Sequence, residues 1–183
     1  MSPLERPTRE DVARSAGATI PDVLAPGLRV VFVGINPGLY SGAVGHHFAR
    51  PGNRFWGALH GAGFTDRVLD PSEDAELPRY GLGITNLVAR STAAAAELTT
   101  EELRMGARTL AAKLAPLAPA FVAVLGLGAY RTAFERPTAA EGRQPERLAG
   151  SAMWLLPNPS GLNAHHQLPD LIERFERLRT AAR

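Results

Sequence analysis

The sequence predicts an α/β fold with three layers, in which helices cover both faces of a central, mainly parallel sheet of four or five strands. Two observations predict this architecture. Short apolar and β-branched runs of strand length alternate along the chain with segments in which apolar residues recur every three or four positions. The strand-like runs have no polar face, as is typical of parallel strands buried between helices. With 183 residues, of which 45% are hydrophobic, the chain suits a single core.

We expect four central strands that alternate with helices. The predicted strands are residues 29–35, 83–88, 121–126 and 153–156. Helices are expected over residues 53–62, 103–114, 129–134 and 168–178. Thr99 and Glu102 match a capping box, which marks the beginning of the second helix. Residues 136–150 carry no clear pattern and are expected to form a flexible loop.

Residues 1–22 are polar and rich in arginine, and we expect an extension or a short helix there, ahead of one domain that spans residues 23–183. No function is assigned to this extension. The chain has no run of 18 or more apolar residues and no basic leader followed by an apolar stretch. We therefore expect a soluble, cytoplasmic protein without a membrane partner.

The composition excludes several kinds of chemistry. The chain has no cysteine, which excludes disulfides, thiolate nucleophiles and cysteine-ligated zinc or iron–sulfur centres. Two pairs of adjacent histidines, His46 with His47 and His165 with His166, are the remaining metal-ligand candidates. Adjacent histidines rarely point at one ion, and no acidic ligand has a suitable spacing. No metal and no cofactor are expected.

The basic residues are almost all arginines, since Lys113 is the one lysine among 20 basic residues. Arginine suits phosphate because its planar guanidinium donates two hydrogen bonds at once. A compositional bias is the simpler explanation, because alanine, glycine and proline are also abundant and no long basic block occurs. The charge alone therefore does not indicate a nucleic acid partner.

Two polar loops, bent by glycine and proline, follow predicted strands that lie far apart in the sequence. Residues 34–39 read Gly-Ile-Asn-Pro-Gly-Leu, and residues 158–163 read Asn-Pro-Ser-Gly-Leu-Asn. The carboxyl ends of parallel strands lie at one edge of an open sheet, where ligands bind, so we expect the two loops to converge on one site. A Rossmann-like nucleotide enzyme is disfavoured, because the first loop lacks the G-x-G-x-x-G pattern.

Three segments, residues 31–65, 83–90 and 156–163, together resemble the mismatch-specific uracil-DNA and thymine-DNA glycosylases, a branch of the uracil-DNA glycosylase superfamily. The resemblance extends from about residue 23 to about residue 175. It implies a monomeric, monofunctional enzyme of base excision repair that acts on double-stranded DNA. Such an enzyme flips out uracil opposite guanine, etheno-cytosine adducts or other damaged pyrimidines and hydrolyses the N-glycosidic bond.

The resemblance also assigns roles to residues of the first loop and to Phe48, which follows it. Asn36 takes the position that orients the attacking water, and the Phe48 ring becomes the stacking platform for the base. An amide can accept a hydrogen bond from water but cannot take its proton, which implies a dissociative and comparatively slow reaction. From the residues alone, Asn36 also fits a turn before proline and Phe48 an ordinary core aromatic. The residues implied in base binding are Gly34, Ile35, Gly38, Phe48 and Asn158.

In the second loop, the resemblance makes Leu162 the apolar wedge that enters the duplex in place of the flipped nucleotide. Gly161 and its neighbours Ser160 and Asn163 would face the orphaned guanine. Relatives often carry a basic residue two positions after this leucine, where the present chain has Ala164.

Three arginines, Arg50, Arg54 and Arg90, lie close to these motifs and are candidates for phosphate contacts, with ordinary surface solvation as the alternative. The alanine run at residues 93–96 offers no catalytic group, although Ser91 and Thr92 just before it could reach the pocket or the phosphates. A noncatalytic module that binds damaged DNA on the same scaffold therefore stays as the alternative function.

Overall fold

A computed structural model describes residues 6–183. In chain order its strands are β1 (Val30–Gly34), β2 (Leu82–Asn86), β3 (Phe121–Leu125), β4 (Gly142–Leu148) and β5 (Ser151–Leu156). The α-helices are α1 (Arg9–Arg14), α2 (Leu39–Val44), α3 (Phe55–Gly61), α4 (Thr100–Leu114), α5 (Leu127–Ala133) and α6 (Leu168–Ala181). Two 3₁₀ segments, Pro71–Tyr80 and Ala95–Glu97, lie between them.

The five strands form one sheet in the order β2-β1-β3-β5-β4. Strands β2, β1, β3 and β5 run parallel to one another, and the edge strand β4 is antiparallel to β5. The predicted α/β architecture is thereby confirmed, with five strands. Because β1 and β5 run in the same direction, the loops that follow them leave the sheet at the same edge.

Helices cover both faces of the sheet, which explains why its parallel strands are buried on both sides. On one face α3 and α6 pack on Phe32, whose ring centroid lies 5.4 Å from that of Phe55 and 5.6 Å from that of Phe175. On the other face α4 and α5 cover Val31 and Val33. The four parallel strands are therefore fixed from both sides, and the loops after them start from rigid points.

The capping box predicted at the beginning of α4 is confirmed. The Glu102 N–H donates to Thr99 Oγ1 at 3.1 Å, and the Thr99 N–H donates to Glu102 Oε2 at 2.8 Å. The flexible loop expected over residues 136–150 is wrong in its second half, because β4 occupies Gly142–Leu148 there. Only its inward positions, such as Gln144 and Leu148, are buried, as is typical of an edge strand with one solvated face.

The N-terminal segment packs on the sheet, apart from residues 1–5, which lie outside the described residues. Its Gly17 N–H donates to Ser91 O at 3.0 Å, and the Ser91 N–H donates to Ala18 O at 2.8 Å. Val23 forms an antiparallel bridge with Ile84 of β2. No helix within residues 6–183 combines the length and the apolar composition needed to cross a bilayer.

Candidate active site

A cavity of about 260 Å³ opens at the sheet edge where the loops after β1 and β5 meet. It brings together most of the residues that the sequence singled out. Those that line it are Gly34, Ile35, Asn36, Gly38, Phe48, Arg50, Asn158, Ser160 and Leu162. Gly161, Asn163 and Arg54 do not line it but shape the loop beside it. The two loops therefore converge on one cavity, as expected from the sequence.

The Asn36 amide is fixed through its nitrogen. Asn36 Nδ2 lies 2.9 Å from Arg90 O, 2.8 Å from Thr92 Oγ1 and 3.2 Å from Pro37 O. The Thr92 hydroxyl donates to Ala94 O at 2.9 Å and therefore accepts from Asn36. Since carbonyl oxygens only accept, these partners define which end of the amide is nitrogen. Asn36 Oδ1 has no hydrogen-bond partner within residues 6–183 and stays available as an acceptor.

Phe48 is held in an unusual backbone conformation beside the pocket. Its φ is 52°, in the left-handed region that side chains other than glycine rarely adopt. Its ring stacks on Phe55 of α3, with centroids 4.2 Å apart and planes 24° apart. The ring is therefore fixed from behind by the core, while its backbone N–H finds no acceptor among the residues that the structure describes.

Gly34, at the end of β1, lets two pocket groups approach the strand. A Cβ added at Gly34 would lie 2.5 Å from Asn86 Oδ1 and 3.3 Å from Phe48 Cζ. The first distance is shorter than any ordinary contact. Gly34 thus serves close approach rather than backbone freedom.

Asn86 and His47 are polar residues of the site for which the sequence analysis gave no role. Asn86 ends β2 and lines the cavity, and His47 precedes Phe48. Asn86 Nδ2 lies 3.5 Å from His47 Nδ1, and His47 Nε2 lies 2.9 Å from Pro21 O. Burial lowers the pKa of His47, against opposing effects of the Pro21 carbonyl and nearby carboxylates, so the ring is neutral at pH 7. No local pattern marks this pair, because three separate segments bring it together.

Gly38 borders open space. A Cβ added there would meet no atom within 4 Å, and its φ of −74° suits any residue. The pocket is therefore wide at this position because a side chain is absent, and not because the backbone requires glycine.

The second loop is held mainly by its own polar groups. The Ser160 N–H donates to Asn158 Oδ1 at 3.0 Å, the Asn163 N–H donates to Ser160 O at 2.9 Å, and Asn163 Nδ2 donates to Asn158 O at 3.0 Å. A Cβ added at Gly161 would lie 2.5 Å from Gly52 O, so this glycine permits a close contact between two backbones. Leu162 projects from the tip with 74% of its surface exposed.

Arg54 clamps the second loop. Its Nη1 lies 3.2 Å from Ser160 O and 3.0 Å from both Asn163 O and His166 O, and its Nη2 lies 3.2 Å from Gln167 Oε1. The guanidinium thus faces four oxygens of one loop. This arrangement gives Arg54 a positioning role that the sequence analysis, which weighed a phosphate contact against surface solvation, did not foresee.

The two other arginine candidates differ from each other. Arg90 pairs with Glu102 at 2.6 and 3.0 Å, and this contact lowers the pKa of the Glu102 carboxyl to about 2. Arg50 is exposed at the rim of the cavity, and its side chain forms no hydrogen bond or ion pair with the described residues. Of the three, Arg50 is the one whose guanidinium has no partner among residues 6–183.

No group of three or more metal-ligating side chains occurs within residues 6–183. His46 lies 3.2 Å from Asp74, and His166 lies 3.0 Å from Glu141, so one histidine of each adjacent pair faces a different carboxylate.

The family model of the uracil DNA glycosylase superfamily matches residues 21–180. The chain belongs to this superfamily.

The match to the uracil DNA glycosylase superfamily contains both loops and every residue that lines the cavity except Ile20. It supports DNA as the partner and DNA glycosylase as the class of activity. The cavity at the sheet edge is therefore the candidate active site.

Proposed function

We propose that the chain is a monofunctional DNA glycosylase of the mismatch-specific branch, which excises uracil and other damaged or mismatched pyrimidines opposite guanine. The observation that carries the proposal is the Asn36 amide: its nitrogen is bound by Arg90 O and Thr92 Oγ1, its oxygen has no partner within residues 6–183, and the residue lines the pocket. An acceptor held in this way can orient a water molecule toward the sugar of a flipped nucleotide.

The reaction follows from what an amide can do. The bond between C1′ and the base nitrogen breaks, its electron pair leaves with the base as an anion, and the oxygen of the water adds to C1′. The water then loses one proton to the solvent, and the base anion takes up a proton after it has left. Asn36 Oδ1 accepts a hydrogen bond from that water but cannot keep its proton, so bond breaking runs ahead of attack. The base anion would be stabilised by fixed donors, and the Phe48 N–H, which has no acceptor within residues 6–183, is our candidate for one of them.

The pocket walls offer a surface on which the base can stack and polar groups that can hydrogen-bond to its edge. The Phe48 ring offers a stacking surface backed by Phe55, and the Asn86 amide offers hydrogen-bonding groups beside it. Open space at Gly38 suits a pyrimidine with a methyl group or an added ring. This width supports a substrate range broader than uracil alone.

Outside the pocket, the exposed Leu162 would enter the duplex where the flipped nucleotide leaves, and Arg50 would meet a backbone phosphate. A monofunctional reaction is proposed because no lysine lines the cavity. Lys113 lies 2.6 Å from Asp22 and 3.2 Å from Thr85, in the layer of α4. Such an enzyme would act as a monomer on chromosomal DNA in the cytoplasm.

One observation favours the alternative, a noncatalytic module that binds damaged DNA. No carboxylate within residues 6–183 lines the cavity, whose lining includes the alanines of residues 93–95. A pocket without a carboxylate depends on Asn36 and on stabilisation of the leaving base.

The deciding experiment is abasic-site formation on labelled duplexes with U:G, U:A and T:G pairs, detected by strand cleavage in hot alkali. We expect cleavage at U:G with the wild type and at least about a 100-fold lower single-turnover rate with Asn36→Ala. Binding of the U:G duplex, followed by fluorescence anisotropy, should be retained in this variant. Tight binding of the U:G duplex by the wild type without cleavage would contradict the glycosylase proposal and support the noncatalytic binding module.

A further inference from the structure

The two groups that hold the Asn36 nitrogen, Arg90 O and Thr92 Oγ1, lie in the segment that connects β2 to α4. Thr92 is fixed by its backbone, because its N–H donates to Pro37 O at 3.1 Å. The backbone around Arg90 lacks such bonds, since the N–H groups of Ala89 and Arg90 find no acceptor within residues 6–183. The direction of the Arg90 carbonyl therefore depends on how the Arg90 side chain is held.

The Arg90 side chain is bound at the beginning of α4. Its Nε lies 2.6 Å from Glu102 Oε1, and its Nη2 lies 3.0 Å from Glu102 Oε2 and 3.3 Å from Glu97 O. Two parallel bonds between a planar guanidinium and a carboxylate fix the orientation of both groups as well as the distance between them. Arg90 is thus attached to α4 at one end and to the Asn36 amide at the other.

Glu102 is itself held in place. Its Oε2 also accepts from the Thr99 N–H at 2.8 Å, as part of the capping box of α4. The helix packs closely on the residues after β2, since a Cβ added at Gly106 would lie 2.4 Å from Leu87 O. Glu102 is therefore a fixed point for the Arg90 side chain.

The pair of Arg90 and Glu102 is better explained by positioning than by stability or by a contact with DNA. Its side chains are 40% and 32% exposed, and exposed pairs contribute little to the free energy of unfolding. A guanidinium that is bound to a carboxylate would have to break that pair before it could bind a phosphate. A displacement of about 1 Å in a reacting group can lower a rate by about 100-fold, so the direction of a carbonyl that holds Asn36 affects the reaction.

We propose that Glu102 is a positioning residue for the proposed reaction: through the Arg90 guanidinium it fixes the Arg90 carbonyl, which in turn holds the Asn36 amide. Glu102 itself does not line the base pocket. The effect on the rate rests on the proposed glycosylase function. The position of the amide does not, because it can be measured without a substrate.

The first test follows the Asn36 side-chain amide by NMR spectroscopy, with its signals assigned by their absence in Asn36→Ala. Arg90→Met keeps an unbranched side chain and leaves the capping box intact, but it removes every donor to Glu102. We expect the Asn36 amide signals to shift and their protons to exchange faster with solvent. Unchanged Asn36 signals in Arg90→Met would overturn the inference.

Arg67→Met is the matched control. Arg67 bonds Glu73 at 2.7 and 2.9 Å, and Glu73 also accepts from the Asp70 N–H at 2.8 Å, so this pair is built like that of Arg90. Neither Arg67 nor Glu73 lines the base pocket. The control should leave the Asn36 signals and the excision rates unchanged, and signals that move equally in both variants would contradict the inference.

The second test measures single-turnover excision from single-stranded and duplex uracil DNA. Arg90→Met and Glu102→Leu should each lower both rates by about tenfold. Glu102→Leu also removes part of the capping box and should lower the thermal midpoint, whereas Arg90→Met should keep it. Because both variants break one pair, the double variant should be no slower than Glu102→Leu alone. Normal rates, or losses that multiply in the double variant, would overturn the inference.

DNA binding separates positioning from a phosphate contact. The slope of log Kd against log salt for the U:G duplex should be the same in Arg90→Met and in the wild type. A slope reduced by about one would assign Arg90 to phosphate and overturn the inference. If the wild type binds the duplex but excises nothing, the proposed function and the effect on the rate fail together, while the NMR signals still decide whether Glu102 positions the Asn36 amide.

Discussion

The two loops that meet at the candidate site are held in opposite ways. The first loop takes its support from the segment that follows β2, since Asn36 is bound by the backbone of Arg90 and the hydroxyl of Thr92. The second loop is held by its own turns and by one clamp, Arg54. Under the proposed function, the reaction geometry would therefore depend on the segment that follows β2, whereas the contact with duplex DNA would depend on a loop that can be altered without disturbing the sheet.

This difference gives a substrate test. Changes in the first loop should lower excision from single-stranded and double-stranded uracil DNA alike, because both need the same chemistry. Changes in the second loop should affect the duplex alone, because a single strand needs no wedge. The predictions below run from the largest expected effect to the smallest.

Asn36→Asp should lower excision from both substrates by about 10²–10⁴-fold, although it supplies a stronger base. The position of Asn36 Nδ2 is bonded to Arg90 O and lies near Pro37 O, and a carboxylate oxygen there would face two carbonyl oxygens. The side chain would turn away from its present position. Single-turnover rates measure the effect, and an increase in rate would contradict the assigned orientation of the amide.

Gly34→Ala should lower both rates by about 100-fold, because the new Cβ would displace Asn86 and Phe48, which lie 2.5 and 3.3 Å from its position. Gly128→Ala in α5 is the matched control, since a Cβ there meets no atom within 4 Å. We expect normal rates for Gly128→Ala and a thermal midpoint at or above that of the wild type. Normal excision by Gly34→Ala would mean that excision does not depend on the present positions of Asn86 and Phe48.

The sequence predicted the parts of this site that depend on strand order alone. The apolar runs of β1 and β5 place Asn36 and Leu162 at one edge of the sheet, and Thr99 marks the beginning of α4 by local chemistry. Such features follow from periodicity, capping and the direction of parallel strands.

The rest of the site depends on contacts between distant segments, which no local pattern records. His47 binds Asn86 and Pro21 across three segments, and Arg54 clamps a loop that lies more than 100 residues further along the chain. The strand β4 escaped prediction because its polar edge pattern includes Pro145, a residue that favours loops. The resemblance supplied roles for individual residues but not the hydrogen bonds that hold them.

Leu162→Ala should lower excision from the U:G duplex by about 10- to 100-fold, which corresponds to the loss of about 1.5–3 kcal/mol of apolar burial. The rate on single-stranded uracil DNA should stay unchanged. Met105→Ala is the matched control, because Met105 is also a large exposed apolar residue but lies on α4, away from the cavity. An equal loss on single strands would show that Leu162 acts in the pocket rather than in the duplex.

Arg54→Lys should lower duplex excision by about tenfold and leave single-strand excision unchanged, because a point charge cannot reproduce a planar group that faces Ser160 O, Asn163 O and His166 O together.

Arg50→Lys is the comparison. A lysine at residue 50 keeps a phosphate contact and should cost little, whereas Arg50→Ala should reduce the slope of log Kd against log salt by about one. If Arg54 clamps the loop, Arg54→Lys keeps the wild-type salt slope and weakens only the wedge. A reduced slope for Arg54→Ala, restored by Arg54→Lys, would instead assign Arg54 to phosphate and leave the second loop to be held by its own turns.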